Sequence, residues 1–178
     1  MILAGPEILE LINSGVIKGA APEYINGSSL DVRIGDEALI ENLNRSAIID
    51  LSAKEQLDME RVKIPDAGMM IHPGEFFMVA TQEVLDLPDD LSCEFKLRSS
   101  AGRAALNHAL SGWADPGFYG TLTLEFQNVC QYHRLLVRPG MRLGQLVFHR
   151  HASAGEYSYR KRGRYNGQLA VTASMGVA

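Results

Sequence analysis

Hydrophobic and polar residues alternate along this chain mostly in short runs, and only one segment has clear helical spacing. In residues 6–15, the apolar positions Ile8, Leu9, Leu11 and Ile12 lie on one helical face, with proline in the first turn and glycine at the end. We therefore expect a short amphipathic helix near the N-terminus and extended structure beyond it.

Alternation with a period of two predicts strands along the rest of the chain. In the first such segment Leu30, Val32 and Ile34 face one side, while Asp31 and Arg33 face the other. Further segments with strand character are residues 38–40, 47–51, 68–71, 75–81, 121–127, 135–137 and 143–149. Because Pro and Gly turns separate them, the pattern predicts a mainly β fold, a distorted β-barrel or jelly roll with the N-terminal helix and one central helix.

Composition and charge narrow the classes of function. The chain has 178 residues, 46% hydrophobic and 21% charged, which fits a single domain over residues 1–178. Its net charge of −4 argues against a nucleic-acid partner, which would need a basic surface. Cys93 and Cys130 are expected to be reduced thiols. The sequence has no apolar run of about 18 residues and no basic N-terminal leader, so we expect a cytoplasmic protein without a membrane partner.

The segment Arg98-Ser-Ser-Ala-Gly-Arg103 places two arginines and two serines at the expected start of the central helix. Serine is a good N-cap, and the free backbone N–H groups of a helix start attract anions. Arg98 and Arg103 can add charge-assisted contacts to phosphate oxygens. The segment is either a phosphate cradle or a plain helix cap with two solvated arginines, and its residues alone leave both open.

Two carboxylates follow this segment. Glu125 lies on the polar face of the predicted strand 121–127, whose apolar residues face the other way. It is either an exposed polar residue or, if partly buried, a general acid–base group. Asp115 lies in a Gly/Pro turn and is either a turn residue or a contact for a sugar hydroxyl.

The histidines and the C-terminal arm allow similar alternatives. His149 and His151 share one face of a strand, but two histidines without a third ligand are weak evidence for a metal site. The chain also lacks the His-x-Glu and Pro-Cys-x-x-Cys signature of zinc-dependent nucleobase deaminases, so any deamination here would proceed without zinc. Residues 155–178, which hold a basic run, are either a solvated tail or an arm that closes over an anionic ligand.

In order and spacing, these motifs resemble the dCTP deaminase family, which belongs to the trimeric dUTPase-like superfamily. The resemblance covers nearly the whole chain, in residues 26–35, 71–75, 98–103, 115–120, 124–126, 144–145 and 164–168. It implies a dUTPase-like fold, a homotrimer with active sites between subunits, and hydrolytic deamination of dCTP to dUTP and ammonia, which feeds dUMP and dTTP synthesis.

The resemblance also implies residue roles. Glu125 would move protons and activate the water that attacks C4 of cytosine, with Ser99 and Arg103 assisting at the reacting centre. Magnesium would be bound through the nucleotide triphosphate and not by protein side chains, zinc would be absent, and dTTP is a candidate inhibitor. The substrate-binding residues would be Arg98, Ser99, Ser100, Ala101, Gly102, Arg103, Ser111, Asp115, Thr123, Leu124, Glu125, Gln145, Tyr157, Arg164 and Gln168.

The chain departs from the family pattern at several positions. Leu110-Ser111 stands where the family usually has Thr-Ala, and Arg164 stands where it commonly has lysine. Gly112-Trp113 is similar to members that also hydrolyse dUTP, so a bifunctional enzyme that yields dUMP and pyrophosphate is the alternative. A non-catalytic nucleotide-binding trimer is a further alternative. A plain dUTPase is disfavoured because that family typically has an apolar residue at the position of Glu125.

Overall fold

The structure, a computed structural model, describes residues 1–42, 48–53 and 55–176. Within these ranges the helices are α1 (Gly5–Asn13), α2 (Ser99–Arg103) and α3 (Tyr159–Arg162). The strands are β1 (Ile17–Lys18), β2 (Leu30–Val32), β3 (Ile34–Glu41), β4 (Met59–Lys63), β5 (Met69–Ile71), β6 (Phe76–Thr81), β7 (Val84–Asp86), β8 (Leu91–Leu97), β9 (Leu106–His108), β10 (Trp113–Ala114), β11 (Tyr119–Gly120), β12 (Thr123–Asn128), β13 (Leu135–Val137) and β14 (Gly144–Arg150). Short 3-10 turns lie at Pro22–Tyr24, Leu51–Ala53 and Gly155–Tyr157.

Antiparallel pairing joins these strands into two larger and two smaller sheets. One larger sheet has the order β4-β3-β6-β12-β9, and the other has the order β10-β8-β14-β2. The smaller sheets are β1-β7-β11 and β13-β5. The prediction of a mainly β fold with a short N-terminal helix and a central helix is confirmed, and the separate sheets make it a distorted rather than a closed barrel.

The inward-facing residues of the two larger sheets pack into a shared core. Phe77 of β6, Phe126 of β12 and Phe148 of β14 are fully buried. The ring of Phe126 lies 5.5 Å from that of Phe77 and 6.0 Å from that of Phe95 on β8, so aromatic packing connects the two sheets. This burial fixes one face of β12 in the core and leaves its polar face available for chemistry.

Most of the predicted strands are present, and some strands were not recognised from the pattern. Strands β3, β5, β6, β12, β13 and β14 lie where the pattern predicts them, whereas β8, with Glu94 and Lys96 in it, was not recognised. Of the predicted strand 47–51, residue 47 lies outside the described residues, and Leu51 begins a 3-10 turn.

Two assignments of exposed and buried faces are wrong. Asp31, predicted to face away from the core with Arg33, is buried. Its carboxylate lies 3.2 Å from the guanidinium of Arg98 and 3.3 Å from that of Arg142, and these ion pairs compensate the buried charge. Leu9, predicted on the apolar stripe of α1, is exposed. The helix buries only the side that faces the sheets.

The predicted serine caps of the central helix are also wrong. Arg98 is the residue before the first turn of α2, and its side chain makes no capping hydrogen bond. Ser99 and Ser100 lie inside the helix, which ends after five residues because Ala105 adopts a φ of 61° and turns the chain into β9. So short a helix offers no extended N-terminal dipole, and its contribution must come from side chains and local backbone.

Within residues 155–176 the C-terminal segment packs against the chain's own sheets. Val171 and Ser158 are buried, and the ring of Tyr159 lies 5.8 Å from that of Phe118. Across the described ranges, every helix is too short or too polar to cross a bilayer.

Candidate active site

A cavity of about 430 Å³ lies between the polar face of β12, the loop before β10 and the C-terminal segment. Its polar lining includes five residues that the sequence predicts for the site: Ser111, Asp115, Thr123, Glu125 and Gln168. Its apolar and aromatic walls include Met59, Phe76, Met78, Trp113, Phe118, Leu122, Tyr159 and Tyr165. Few polar groups in a mainly apolar wall are typical of a small-molecule site.

Glu125 is one of two carboxylates that line this cavity, together with Asp115. Its neighbours Leu124 and Phe126 are buried on the opposite face of β12, so strand alternation turns the carboxylate toward the cavity. Burial raises the pKa of Glu125, and a hydrogen bond donated by the Ser111 hydroxyl to Oε2 opposes that rise. A partly buried carboxylate at this position can accept a proton and return it during a reaction.

His108 lies behind Glu125 and was missed by the sequence reasoning. Its Nε2 is 3.9 Å from Glu125 Oε2, and its Nδ1 accepts a 3.3 Å hydrogen bond from the backbone N–H of Leu110. Burial lowers the pKa of His108 to about 4, so the ring is neutral near neutral pH and makes no ion pair with Glu125. The signal was available, because the alternation of Leu106 and His108 places this histidine on the buried face of β9.

Asp115 is held at the mouth of the cavity by its own turn. The indole Nε1 of Trp113 donates a 3.1 Å hydrogen bond to Asp115 Oδ1, and the backbone N–H of Phe118 bonds to the Asp115 carbonyl. Gly117, with a φ of 82°, allows the turn to pass against Ser158, whose Oγ would lie 2.2 Å from any Cβ at that position. Both carboxylate and turn are therefore positioned before any ligand arrives.

The C-terminal segment supplies the outer wall of the cavity. Gln168 exchanges hydrogen bonds with the backbone of Thr121, and the Thr123 hydroxyl accepts a 3.1 Å bond from the backbone N–H of Thr172. Arg164 instead donates to the carbonyl of Gly176 at 3.2 Å, and Tyr157 is largely exposed with the Arg162 guanidinium over its ring. Of the three predicted closing residues, Gln168 lines the cavity and the other two do not.

The predicted phosphate residues lie outside this cavity. Ser99, Ser100, Gly102 and Arg103 of α2 are exposed, and Ala101 is half-buried. A separate polar cluster surrounds the start of the helix, in which Arg98 contacts Asp31 and Gln145 accepts a 2.6 Å hydrogen bond from Ser29. One copy of the chain therefore places its acid–base carboxylate and its predicted phosphate residues in two different regions.

The described residues offer no preformed metal centre. No group of three or more His, Cys, Asp or Glu side chains among them could hold a metal ion. The Nε2 of His149 lies 3.4 Å from Glu94, and its ring packs 5.7 Å from that of Trp113. His149 thus packs against Trp113 beside the Glu94 carboxylate.

Glu125, a carboxylate whose pKa is raised by burial, lies in a mainly apolar cavity of a β fold. This arrangement indicates proton-transfer chemistry on a small molecule. Residues 2–151 match the family model described as dCTP deaminase-like. The chain belongs to the dCTP deaminase-like family.

Individual relatives agree with this assignment. A protein from Streptomyces griseus named "dCTP deaminase, dUMP-forming" is 37% identical over 182 residues, which cover 98% of this chain and 94% of the relative. A protein of the same name from Persephonella marina is 38% identical, covering 98% of this chain and 96% of the relative.

One solved structure shows the same architecture. The crystal structure of 2'-deoxycytidine 5'-triphosphate deaminase from Agrobacterium tumefaciens superposes with a TM-score of 0.66 and 25% identity over 83% of this chain. This chain spans 48% of the length of that crystallised chain.

Proposed function

We propose that this chain deaminates dCTP and carries the nucleotide on to dUMP, releasing ammonia and pyrophosphate. The observation that carries the deamination is Glu125, a partly buried carboxylate whose pKa is raised, in a cavity large enough for a pyrimidine nucleoside. The names of the Streptomyces griseus and Persephonella marina relatives, both dUMP-forming, support the second step.

In the proposed deamination, Glu125 carries a proton in both directions. Its carboxylate takes a proton from a water molecule as the water oxygen attacks C4 of cytosine. The protonated glutamate delivers that proton to N3 of the pyrimidine. It then takes the second water proton from the new C4 hydroxyl and passes it to the amino group, so that the C4–N bond breaks, ammonia leaves and the C4 carbonyl forms. Thr123 and Leu124 on the same strand would read the base edge through their backbone groups, and Asp115 would contact the deoxyribose.

The exposed segment 98–103 would supply the phosphate contacts of a site on a second copy of the chain. Support comes from its position, because these residues lie outside the cavity of their own copy and Ser99, Ser100 and Arg103 are exposed. Arg98 and Arg103 would bind phosphate oxygens, and Ser99 and Arg103 would assist at the reacting centre. The backbone of Ser100, Ala101 and Gly102 would complete the cradle. We therefore propose a homotrimer whose active sites lie between subunits.

The remaining predicted residues would act after the nucleotide binds. Gln168 already lines the cavity, whereas Arg164 and Tyr157 would need to move to close over the phosphates. Gln145 belongs to the polar cluster around Arg98 and Asp31 at the start of α2, and it would help to position the phosphate-binding segment. dTTP, which shares the triphosphate and deoxyribose, would compete for the same site.

Magnesium would enter bound to the triphosphate of the substrate. In the proposed reaction Glu125, whose carboxylate lines the cavity, provides the proton transfer.

Product analysis tests this function. Incubation of the protein with dCTP and magnesium should release ammonia, and chromatography should show dUMP with pyrophosphate. Accumulation of dUTP in place of dUMP would support deamination alone, which is the main expectation from the sequence. Binding of dCTP without turnover would support the non-catalytic alternative.

A further inference from the structure

We propose that the Ser111 hydroxyl is a positioning group for Glu125, which holds carboxylate oxygen Oε2 so that oxygen Oε1 faces the water and the pyrimidine. This inference rests on the proposed function of the site. Ser111 stands where the family resemblance leads us to expect alanine, so the contact is a property of this chain's own sequence.

The loop that carries Ser111 is fixed from both sides. The backbone N–H of Ala109 bonds to the Glu125 carbonyl at 3.1 Å, and the backbone N–H of Phe95 bonds to the Gly112 carbonyl at 2.7 Å. Any Cβ at Gly112 would lie 2.6 Å from Phe95 Cβ, so glycine lets the loop press against β8. These anchors leave the Ser111 side chain directed at the carboxylate.

Backbone strain in the same loop is consistent with a functional placement. Leu110 adopts a φ of 61°, a left-handed conformation that costs a leucine free energy, and its side chain is almost fully exposed. No burial of Leu110 compensates for this cost. The backbone N–H of Leu110 donates a hydrogen bond to His108 Nδ1, and this bond orients the imidazole behind Glu125.

The Ser111 hydroxyl donates a side-chain hydrogen bond to the Glu125 carboxylate, in surroundings that include few other ionisable groups. Asp115, Tyr159 and Tyr165 line the same cavity, and His108 is the titratable group on the neighbouring strand β9. His108 is neutral near neutral pH and stays 3.9 Å from the carboxylate. On the other side, β6 presents Met78 opposite Glu125.

A hydroxyl placed on Oε2 has two consequences for the proposed reaction. It donates to the charged carboxylate, which favours the form that accepts a proton from water. It also occupies one oxygen, so that the other carries the proton between water and pyrimidine without rotation of the side chain. Because Ser111 is exposed, neither consequence requires a change in the core.

The test compares Ser111→Ala with Ser111→Thr. Loss of the hydroxyl should raise the pKa of Glu125 by about one unit, since a hydrogen bond to a charged group is removed. The acidic limb of the kcat profile should move to higher pH by the same amount. At a pH below that limb, the kcat of Ser111→Ala should be about tenfold lower than that of the wild type. Ser111→Thr, which keeps a hydroxyl, should restore the wild-type profile.

The titration can be read without turnover. Infrared difference titration of the carboxyl band, with Glu125→Gln protein subtracted, reports the pKa of Glu125 directly. Ser52→Ala is the matched control, because Ser52 donates a similar 2.6 Å hydrogen bond to Asp50 on an exposed turn. It should leave the Glu125 titration unchanged.

An unchanged Glu125 titration in Ser111→Ala would overturn the inference, as would a loss of kcat that is equal at every pH. Ser111→Thr that behaves like Ser111→Ala would overturn it as well. If the titration shifts but wild-type protein consumes no dCTP, the proposed function fails and the Ser111–Glu125 contact remains.

Discussion

At the scale of single residues, the site is controlled by how deeply its ionisable groups are buried. Glu125 and His108 lie side by side, and burial moves their pKa values in opposite directions, up for the carboxyl and down to about 4 for the imidazole. Both shifts favour the uncharged forms. The neutral imidazole fills the space behind the carboxylate without forming an ion pair that would lower its basicity.

The buried histidine makes stability depend on pH. Its folded pKa of about 4 lies below its ordinary value of 6.5, so the unfolded chain binds the extra proton between these values. The stability tied to a neutral His108 is therefore complete above pH ~6.5 and is lost as the pH falls toward ~4. We expect the free energy of unfolding to be about 2 kcal/mol lower at pH 5 than at pH 8 on account of this residue.

Chemical denaturation of His108→Phe at the two pH values measures this contribution. The phenylalanine ring keeps the packing against Phe95 and Phe126, whose rings lie 4.7 and 5.4 Å from that of His108, but it cannot be protonated. In His108→Phe the free energy of unfolding should differ little between pH 5 and pH 8. His133→Phe, at an exposed position, should keep the wild-type difference. Equal pH dependence in wild type and His108→Phe would contradict the buried, neutral assignment.

At the scale of elements, the cavity depends on the hydrogen bonds that join the C-terminal segment to β11 and the residue after it. The backbone of Tyr119 pairs with Asn166 and Gly167, and that of Thr121 pairs with Gln168. Gly120, between them, has a φ of 141°, and a Cβ there would lie 2.3 Å from the Gln168 carbonyl oxygen. Glycine at this position therefore lets the segment approach closely enough to wall the cavity.

Gly120→Ala should detach this segment. Hydrogen exchange of the Thr121 and Gly167 amides should become at least about tenfold faster, because their partners across the contact are displaced. Gly140→Ala is the matched control, since Gly140 also has a positive φ but would place its Cβ in open space. Unchanged exchange at Thr121 in Gly120→Ala would show that the segment is held elsewhere.

The sequence predicts elements better than it predicts which of them meet. Alternation alone identifies β12 and places Glu125 on its polar face, since both follow from the period of a strand. It cannot distinguish an exposed glutamate from a tuned one, because the burial of Glu125 comes from the loop at Ser111 and from the C-terminal segment. The ion pairs that compensate the buried charge of Asp31 come likewise from Arg98 and Arg142, which are distant along the chain.

At the scale of the whole molecule, the separation of the two regions leads to a prediction about mixed oligomers. Glu125→Gln should disable the cavity of its own copy, and Arg103→Ala should disable the phosphate segment. When the two variants are co-expressed, a wild-type cavity of one copy can meet a wild-type segment 98–103 of another. Mixed oligomers should therefore recover dCTP deamination that neither variant shows alone.

The matched control combines Glu125→Gln with Asp115→Ala. Both changes fall in the same cavity, so every site in such a mixture carries a defect and activity should not return. The mixed species are isolated with two different affinity tags. Inactive mixtures of Glu125→Gln and Arg103→Ala would contradict a site shared between copies.

The most direct measurement of the central claim is the full product balance from dCTP and magnesium. Ammonia is measured by a coupled assay, and nucleotides and pyrophosphate are separated by anion-exchange chromatography, with Glu125→Gln protein as the blank. We predict ammonia, dUMP and pyrophosphate in equal amounts, and no turnover in the blank. Unconsumed dCTP with wild-type protein that binds the nucleotide would contradict the account.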